Sequence, residues 1–269
     1  VNDLVPEPAA PLDPLRLKRI AITLPGVTGI EVIGQTGSTH DDMRDRAQQG
    51  AEDCTFLVAE HQNTGRGRSG RAWNNQEQRD LLVSLVVRPS IPADRYPTLT
   101  FHLGLALVDA LENLCPGKVQ LKWPNDILLD GKKVAGLLAE SSLPANGGQG
   151  FAVLSFGLNV NSEVAEMPAE LQPLATTMME NIGEPLNRTR LLLRVIEAIS
   201  RHREDMETGS VPVESWNAKA AWMGSDVQVE QGQTTLRGKM LGVNGEGALM
   251  LHIGDQTHTI RHGDLFRKV

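Results

Sequence analysis

Apolar and polar positions along this chain separate strands from helices before any single residue is singled out. "TFLVAE" (55–60) and "LLVSLVV" (81–87) are short, compact apolar runs, the pattern of buried strands. "LTFHLGLALVDALENL" repeats at helical spacing instead, placing Leu99, Leu103, Ala106, Leu107, Ala110, Leu111 and Leu114 on one face. A second amphipathic helix is predicted over 188–206, with Leu192, Val195, Ile196, Ile199 and Met206 in phase. "IEVIGQTGSTHDDMRDRAQQG" predicts a strand, a Gly-bounded turn and a helix, with Ser38 or Thr39 placed to cap it, Asp41 or Asp42 in its first turn and Gly50 at its end. "KVQLK" and "DILLD" are strands flanking "WPN", "GKK" turns the chain into "VAGLLAE", and "PANGGQG" predicts a hairpin loop before "FAVLSFGLNVN".

After Trp222 the texture changes to short strands divided by "EQGQ", "NGEG" and "IGDQ" turns, the pattern of a small antiparallel barrel. The expected division is a leader with the first helix (1–28), a larger domain (29–220) and the terminal barrel (221–269). A length of 269 residues suits that size.

Composition narrows the class. Apolar content of 40% and charged content of 22% are ordinary for a globular protein, and aromatics at 4% leave the core to aliphatic side chains. No apolar run approaches a membrane span, and "VNDLVPEPAAPLDPLRLKR" has no apolar signal core, so its prolines suggest a loose leader. Cys54 and Cys115 are the two cysteines; they imply no disulfide framework and read as buried small hydrophobes. A net charge of -7 argues against broad nucleic-acid binding. The expectation is a cytoplasmic protein with no membrane partner. No histidine spacing resembles a metal-ligand set, so no protein-held metal is expected.

Against that acidic background, "GRGRSGR" (65–71) stands out. Gly65, Gly67 and Gly70 fit a dinucleotide fingerprint, which needs a strand before it and a helix after. The strand is there, but "RAWNNQEQRD" has no helical apolar period. Arginine-glycine segments that bind RNA usually repeat within disordered basic tails, whereas this one occurs once between buried strands. A plain solvated surface loop is the remaining alternative. Glycines let backbone N–H groups approach a ligand, and Arg66, Arg68 and Arg71 can pair bidentately with carboxylate or phosphate. A loop closing over a small anion fits best.

"KWPNDILLDGKKVAG" (122–136) is the second unusual stretch. Lys122 ends a strand, Pro124 forbids regular pairing after it, and Asn125 and Asp126 follow at a turn. A strand-end lysine is ordinarily one that snorkels to water. Its pairing with the arginine loop favours a site. If a carboxylic acid is activated by ATP, two like charges about 4 Å apart repel by roughly 4 kcal/mol at an effective dielectric near 20. Each decade of rate is worth about 1.36 kcal/mol. Fixed cations at the meeting point remove that obstacle by stabilising charge on the phosphoryl oxygens.

With both stretches in view, residues 30–269 resemble the biotin protein ligases, or biotin–[acetyl-CoA-carboxylase] ligases. "AEHQNTGRGRSGRAW" is similar to that family's biotin loop, and "KWPND…GKKVAG" to its lysine-tryptophan-proline-asparagine-aspartate segment. "GQTGSTH" resembles the family's first motif, "FGLNVN" its Gly-Ile/Leu-Asn-Val-Asn strand, and "PAELQPLATTMMENIG" its adenylate-covering loop. The resemblance implies an α+β fold: a mixed β-sheet with flanking helices, class II aminoacyl-tRNA synthetase-like, plus a C-terminal SH3-like β-barrel. It also implies that Ser38, Thr39, Gln62 and Gly136 line a pocket for the biotin ureido ring. Gly65, Arg66, Gly67 and Arg68 would close over biotin and adenylate, with Lys122 bridging carboxylate and α-phosphate. Arg71, Trp73, Trp123, Asn125 and Asn159 would lie on the ATP side, and Mg²⁺ would arrive with the ATP phosphates. Arg68 and Lys122 are the expected catalytic residues.

The plainer readings are compatible with these roles. Ser38 and Thr39 suit helix caps, Trp73 and Trp123 core or rim aromatics, Gly136 a close strand approach, and Asn159 a buried turn. Two departures from the family pattern matter. His40 stands where the family commonly has Asn, a bulkier and titratable group in the biotin pocket. Fewer than 30 residues precede "IEVIG", too few for the winged helix-turn-helix of repressor-type members, so DNA binding is not expected. The implied activity forms biotinyl-5′-AMP and passes the biotinyl group to a lysine of a biotin carboxyl carrier domain. Lipoate–protein ligase is the rival within the fold, and a non-catalytic nucleic-acid-binding module the rival from another class.

Overall fold

Two sheets organise residues 10–142 and 150–267, which the computed structural model describes. The hairpin loop expected at "PANGGQG" therefore lies, but for its last glycine, outside the described residues, as do residues 1–9 of the leader. The larger sheet contains β1 (Gly29–Thr36), β2 (Thr55–Gln62), β3 (Leu81–Val87), β4 (Val119–Lys122), β5 (Asp126–Leu129), β6 (Lys132–Ser142) and β7 (Phe151–Leu158). Their spatial order is β1-β2-β3-β7-β6-β5-β4, with β1 and β2 parallel and the other neighbours antiparallel. The sheet is mixed, as expected.

Strand alternation divides its burial between two cores. Phe56, Val58, Val83, Leu85 and Leu154 belong to the large core with α1 (Pro14–Ala21), α3 (Leu99–Glu112) and α5 (Arg188–Met206). Leu57, Val86 and Val153 point the other way and pack with Met43 and Ala47 of α2 (Thr39–Gln48). Coverage on both faces is why "LLVSLVV" is unbroken; every residue of β3 is buried. The expectation of a single apolar face for α3 is corrected: Phe101, His102, Leu105 and Val108 are buried as well. That helix lies between the sheet, α5 and α6 (Val213–Ala218), so it has almost no solvent side.

The second sheet is antiparallel throughout, in the order β11-β10-β9-β8-β12, from β8 (Asp226–Gln231), β9 (Thr234–Val243), β10 (Leu249–Ile253), β11 (Gln256–Ile260) and β12 (Asp264–Arg267). Val227, Val229, Met240, Leu251 and Leu265 fill its interior. Polar contacts fix it to the first sheet's edge. Leu121 N–H donates to Lys219 O and Ala221 N–H to Leu121 O, each at 2.8 Å. Asn217 meets both backbone groups of Val243, and Trp123 Nε1 donates to Gly247 O at 3.1 Å.

One ion pair locks α5 to the sheet. Arg188 Nη2 lies 2.7 Å from Glu60 Oε2, with the arginine side chain 2% exposed. Arg188 also donates to Asp80 O and Ala10 O, while Glu60 accepts from Leu12 N–H. Removing one partner strands a buried charge. Glu60→Ala is expected to lower the unfolding free energy by about 3–5 kcal/mol, read from urea denaturation; a loss below about 1 kcal/mol, the scale of an exposed pair, would contradict that role.

Candidate active site

Cross-strand register assembles the site. Lys122 pairs with Asp126, Asp126 with Gly136, Gly136 with Gly157, and Gly157 with Leu82. Directly opposed residues of antiparallel strands share a face, so this row looks out from the α2 side of the sheet. Two residues along, Leu138, Ser155 and Ser84 form a second row on that face. Above both rows lies a cleft of about 510 Å³, within the usual range for small-molecule sites.

Glycine is required at two of these places. A Cβ on Gly136 would come 2.9 Å from Trp73 Cζ3, and one on Gly157 would overlap the same indole. Trp73 therefore lies flat on bare backbone, with Lys133 Nζ 5.5 Å from its ring centroid. At the β4 end, Asp126 binds Lys122 Nζ at 3.1 Å and Lys133 Nζ at 2.6 Å. Burial pushes the Asp126 carboxyl up, but the two ammonium groups outweigh it and hold it below the ordinary range.

The glycine-arginine loop crosses this floor, turning at Ser69 and Gly70 with positive φ. No helix follows it: Arg68–Gly70 is a single 3-10 turn, and Arg66 bridges Ala72. Its arginines reach both walls. Arg66 meets Asp41 and Glu140, whereas Arg68 donates to Gly263 O at 2.7 Å and Asp264 Oδ1 at 2.9 Å. Arg71 pairs with Asp264 as well. Burial raises the Asp264 carboxyl, and Arg71 and Arg68 more than reverse it. Seven basic side chains line the cleft against two carboxylates, in a chain of net charge -7.

At the α2 end the lining is neutral. Gln62 Oε1 accepts from Thr39 N–H and Thr39 Oγ1, at 2.7 and 2.9 Å. Ser84 donates to Thr39 Oγ1 and meets Ser155 Oγ, which in turn meets His40 Nδ1 at 2.7 Å. Ser38 occupies the N-cap of α2 without making the capping bond, and its buried hydroxyl has no protein partner among the described residues. The cap expected of it is made in backbone conformation only.

Of the residues singled out from sequence, Ser38, Thr39, His40, Gln62, Arg66, Gly67, Arg68, Arg71, Trp73, Lys122, Trp123, Asn125, Gly136 and Asn159 line this one cleft. Gly65 stands outside the lining; its carbonyl accepts from Trp73 N–H and closes the base of the loop. Three polar tips are already used: Trp123 Nε1 on Gly247 O, Asn125 Nδ2 on Leu137 O, and Asn159 Nδ2 on Thr176 O. Sequence reasoning passed over Lys133, Ser84, Ser155 and Asp264. Lys133 stood in the quoted "GKK", while the other three show only through strand register and tertiary contact. Burial pushes the Cys54 thiol up to about 12, which makes it a poor nucleophile.

Comparison with known proteins gives the family. Residues 32–161 match the Biotin/lipoate A/B protein ligase family. A biotin–[acetyl-CoA-carboxylase] ligase of Mycobacterium tuberculosis is 33% identical over 244 residues, covering 88% of either chain. The chain belongs to the biotin protein ligases. The bifunctional ligase/repressor BirA of Bacillus subtilis is 31% identical over 244 residues, 87% of this chain and 75% of that one. The biotin protein ligase of Aquifex aeolicus, solved in complex with biotin and ATP, superposes with a TM-score of 0.77 at 27% identity, covering 90% of this chain and all of that one.

In this biotin protein ligase His40 is 2% exposed. Its Nε2 lies 3.2 Å from Glu140 Oε2 but out of line for a hydrogen bond. Burial lowers its pKa from the ordinary 6.5; Glu140 and Asp41 pull it back up, and Arg66 pushes it down. Arg44 and Arg66 share the Glu140 carboxylate and weaken that pull. A histidine depressed in the folded chain is protonated first in the unfolded chain as pH falls. Its contribution is therefore present above pH 6.5 and lost progressively below it. Between pH 7 and 5 the wild-type chain should lose more stability than His40→Asn, measured by urea denaturation at each pH; parallel profiles would show that His40 does not titrate on unfolding.

Proposed function

We propose that this biotin protein ligase binds biotin and ATP side by side in the cleft, forms biotinyl-5′-AMP there, and passes the biotinyl group to a lysine of a biotin carboxyl carrier domain. One observation carries the reading: Arg68 and Lys122, 54 positions apart in the chain, face one cleft whose lining is strongly basic.

The neutral end, with the free Ser38 hydroxyl beside Thr39 and Gln62, suits a ureido ring, which both donates and accepts hydrogen bonds. The cationic end suits the carboxylate and the α-phosphate. A biotin carboxylate oxygen attacks the α-phosphorus and pyrophosphate leaves. Lys122, held by Asp126, is placed to neutralise both reactants as they approach. The neutral amine of the acceptor lysine then attacks the anhydride carbonyl, AMP departs, and the amine gives up its proton. Trp73 offers a flat apolar wall beside the phosphates. Asp126 and Asp264 are each held by two basic side chains, so Mg²⁺ would ride on the ATP phosphates.

Pyrophosphate exchange into ATP is expected to require biotin. Exchange without an added acid, or faster with lipoate, would overturn the reading. Lys122→Ala should lower adenylate formation by about 10²–10³-fold with an unchanged far-ultraviolet circular dichroism spectrum; near-normal exchange would take Lys122 out of the chemistry.

A further inference from the structure

On the helix side of the sheet, away from the cleft, the contact between α3 and α5 holds a group of polar atoms that the ligase reaction does not use. His102 of α3 is 2% exposed, and its Nε2 lies 2.9 Å from Ser210 O. A carbonyl only accepts, so Nε2 carries the proton and Nδ1 keeps its lone pair. That Nδ1 is buried and has no protein partner among the described residues. Burial also lowers the pKa of His102 from its ordinary value.

His202 of α5 is arranged alike. Its Nε2 lies 2.8 Å from Asp109 Oδ2, which only accepts, so Nε2 carries a proton and Nδ1 is the nitrogen left to offer a lone pair. Nδ1 faces Asp205 Oδ2 at 3.8 Å. One ligand atom each from His102, His202 and Asp205 lie within 4.8 Å of one another. A doubly protonated His202 would suit its two carboxylates yet leave the buried His102 nitrogen unpaired. A cation satisfies all three.

We propose that His102, His202 and Asp205 bind a divalent transition-metal ion, Zn²⁺ by the choice of ligands, with a fourth position open to water. Two imidazoles and a carboxylate are a zinc set, with bonds of about 2.0–2.2 Å. Asp205, its side chain 65% exposed in the last turn of α5, has the freedom to close in. Ser210 O and Asp109 orient the two rings from behind, the usual outer support for metal-bound histidine. Sequence spacing conceals such a site, because its histidines are 100 residues apart on two helices. The ion would clamp the end of α5 and the Ser210 turn to α3, a structural role separate from the cleft.

The chelator-stripped full chain, free of ATP, is titrated with Zn²⁺ against a chromophoric competitor, with Tm followed in parallel. One equivalent is expected to bind and raise Tm. His202→Gln, at a side chain 17% exposed, and Asp205→Asn, at one 65% exposed, should each weaken binding at least tenfold and abolish the Tm rise. His258→Ala, in the barrel, should change neither. Co²⁺ in place of Zn²⁺ should give visible bands of a four-coordinate ion with nitrogen and oxygen ligands. No stoichiometric binding would leave only water between the histidines, and equal binding in both variants would put the ion elsewhere; either result overturns the site.

Discussion

Hydrogen-bonded register across β4, β5, β6 and β7 sets the floor of the cleft and where Lys122 and Asp126 sit on it. Lys122, Asp126, Gly136 and Gly157 are successive partners on four strands. A shift of one residue in any pair would turn its side chains to the α3 face, where Ile127, Ala135 and Leu137 now pack. The apolar core therefore fixes the polar site: because those residues must face the helices, Asp126 and Gly136 must face the cleft. Each glycine then leaves room for Trp73, and Asp126 sits within reach of two lysines.

Concentrating cations in an acidic chain has an electrostatic cost, and the fold distributes it. Asp126 offsets Lys122 and Lys133, Asp264 offsets Arg68 and Arg71, and Asp41 with Glu140 offsets Arg66. Most of these groups are partly exposed, so each pair adds little to stability. Their effect is geometric: the loop is tethered at Arg66 to α2 and β6, and at Arg68 and Arg71 to β12.

Much of the fold was legible because side-chain period reports the buried face. The helix predicted over 188–206 is α5, and the runs at 55–60 and 81–87 lie in β2 and β3. The arginine loop and Lys122 were legible as charges bordered by buried strands. What escaped depends on pairing between distant segments. Ser84 and Ser155 each look like a lone tolerated serine in an apolar run; only strand register joins them into a chain to His40. Asp264 is 196 residues from Arg68, in a stretch that reads as barrel. Trp123 lines the cleft but is 1% exposed with its N–H given to Gly247 O, a tie that shows only in the structure, because β4 is the edge on which the second sheet rests.

Asp264 makes the last strand a resident counter-anion. A phosphate or carboxylate that engages Arg68 and Arg71 swaps one negative partner for another, so the exchange alters local charge little and frees few dissolved ions. The pairing also has a mechanical side: the same two arginines that face the cleft hold the loop to β12 through Gly263 O and Asp264. One wall of the cleft is thereby joined to the seat of the C-terminal sheet, more than 190 residues along the chain from the arginines it holds.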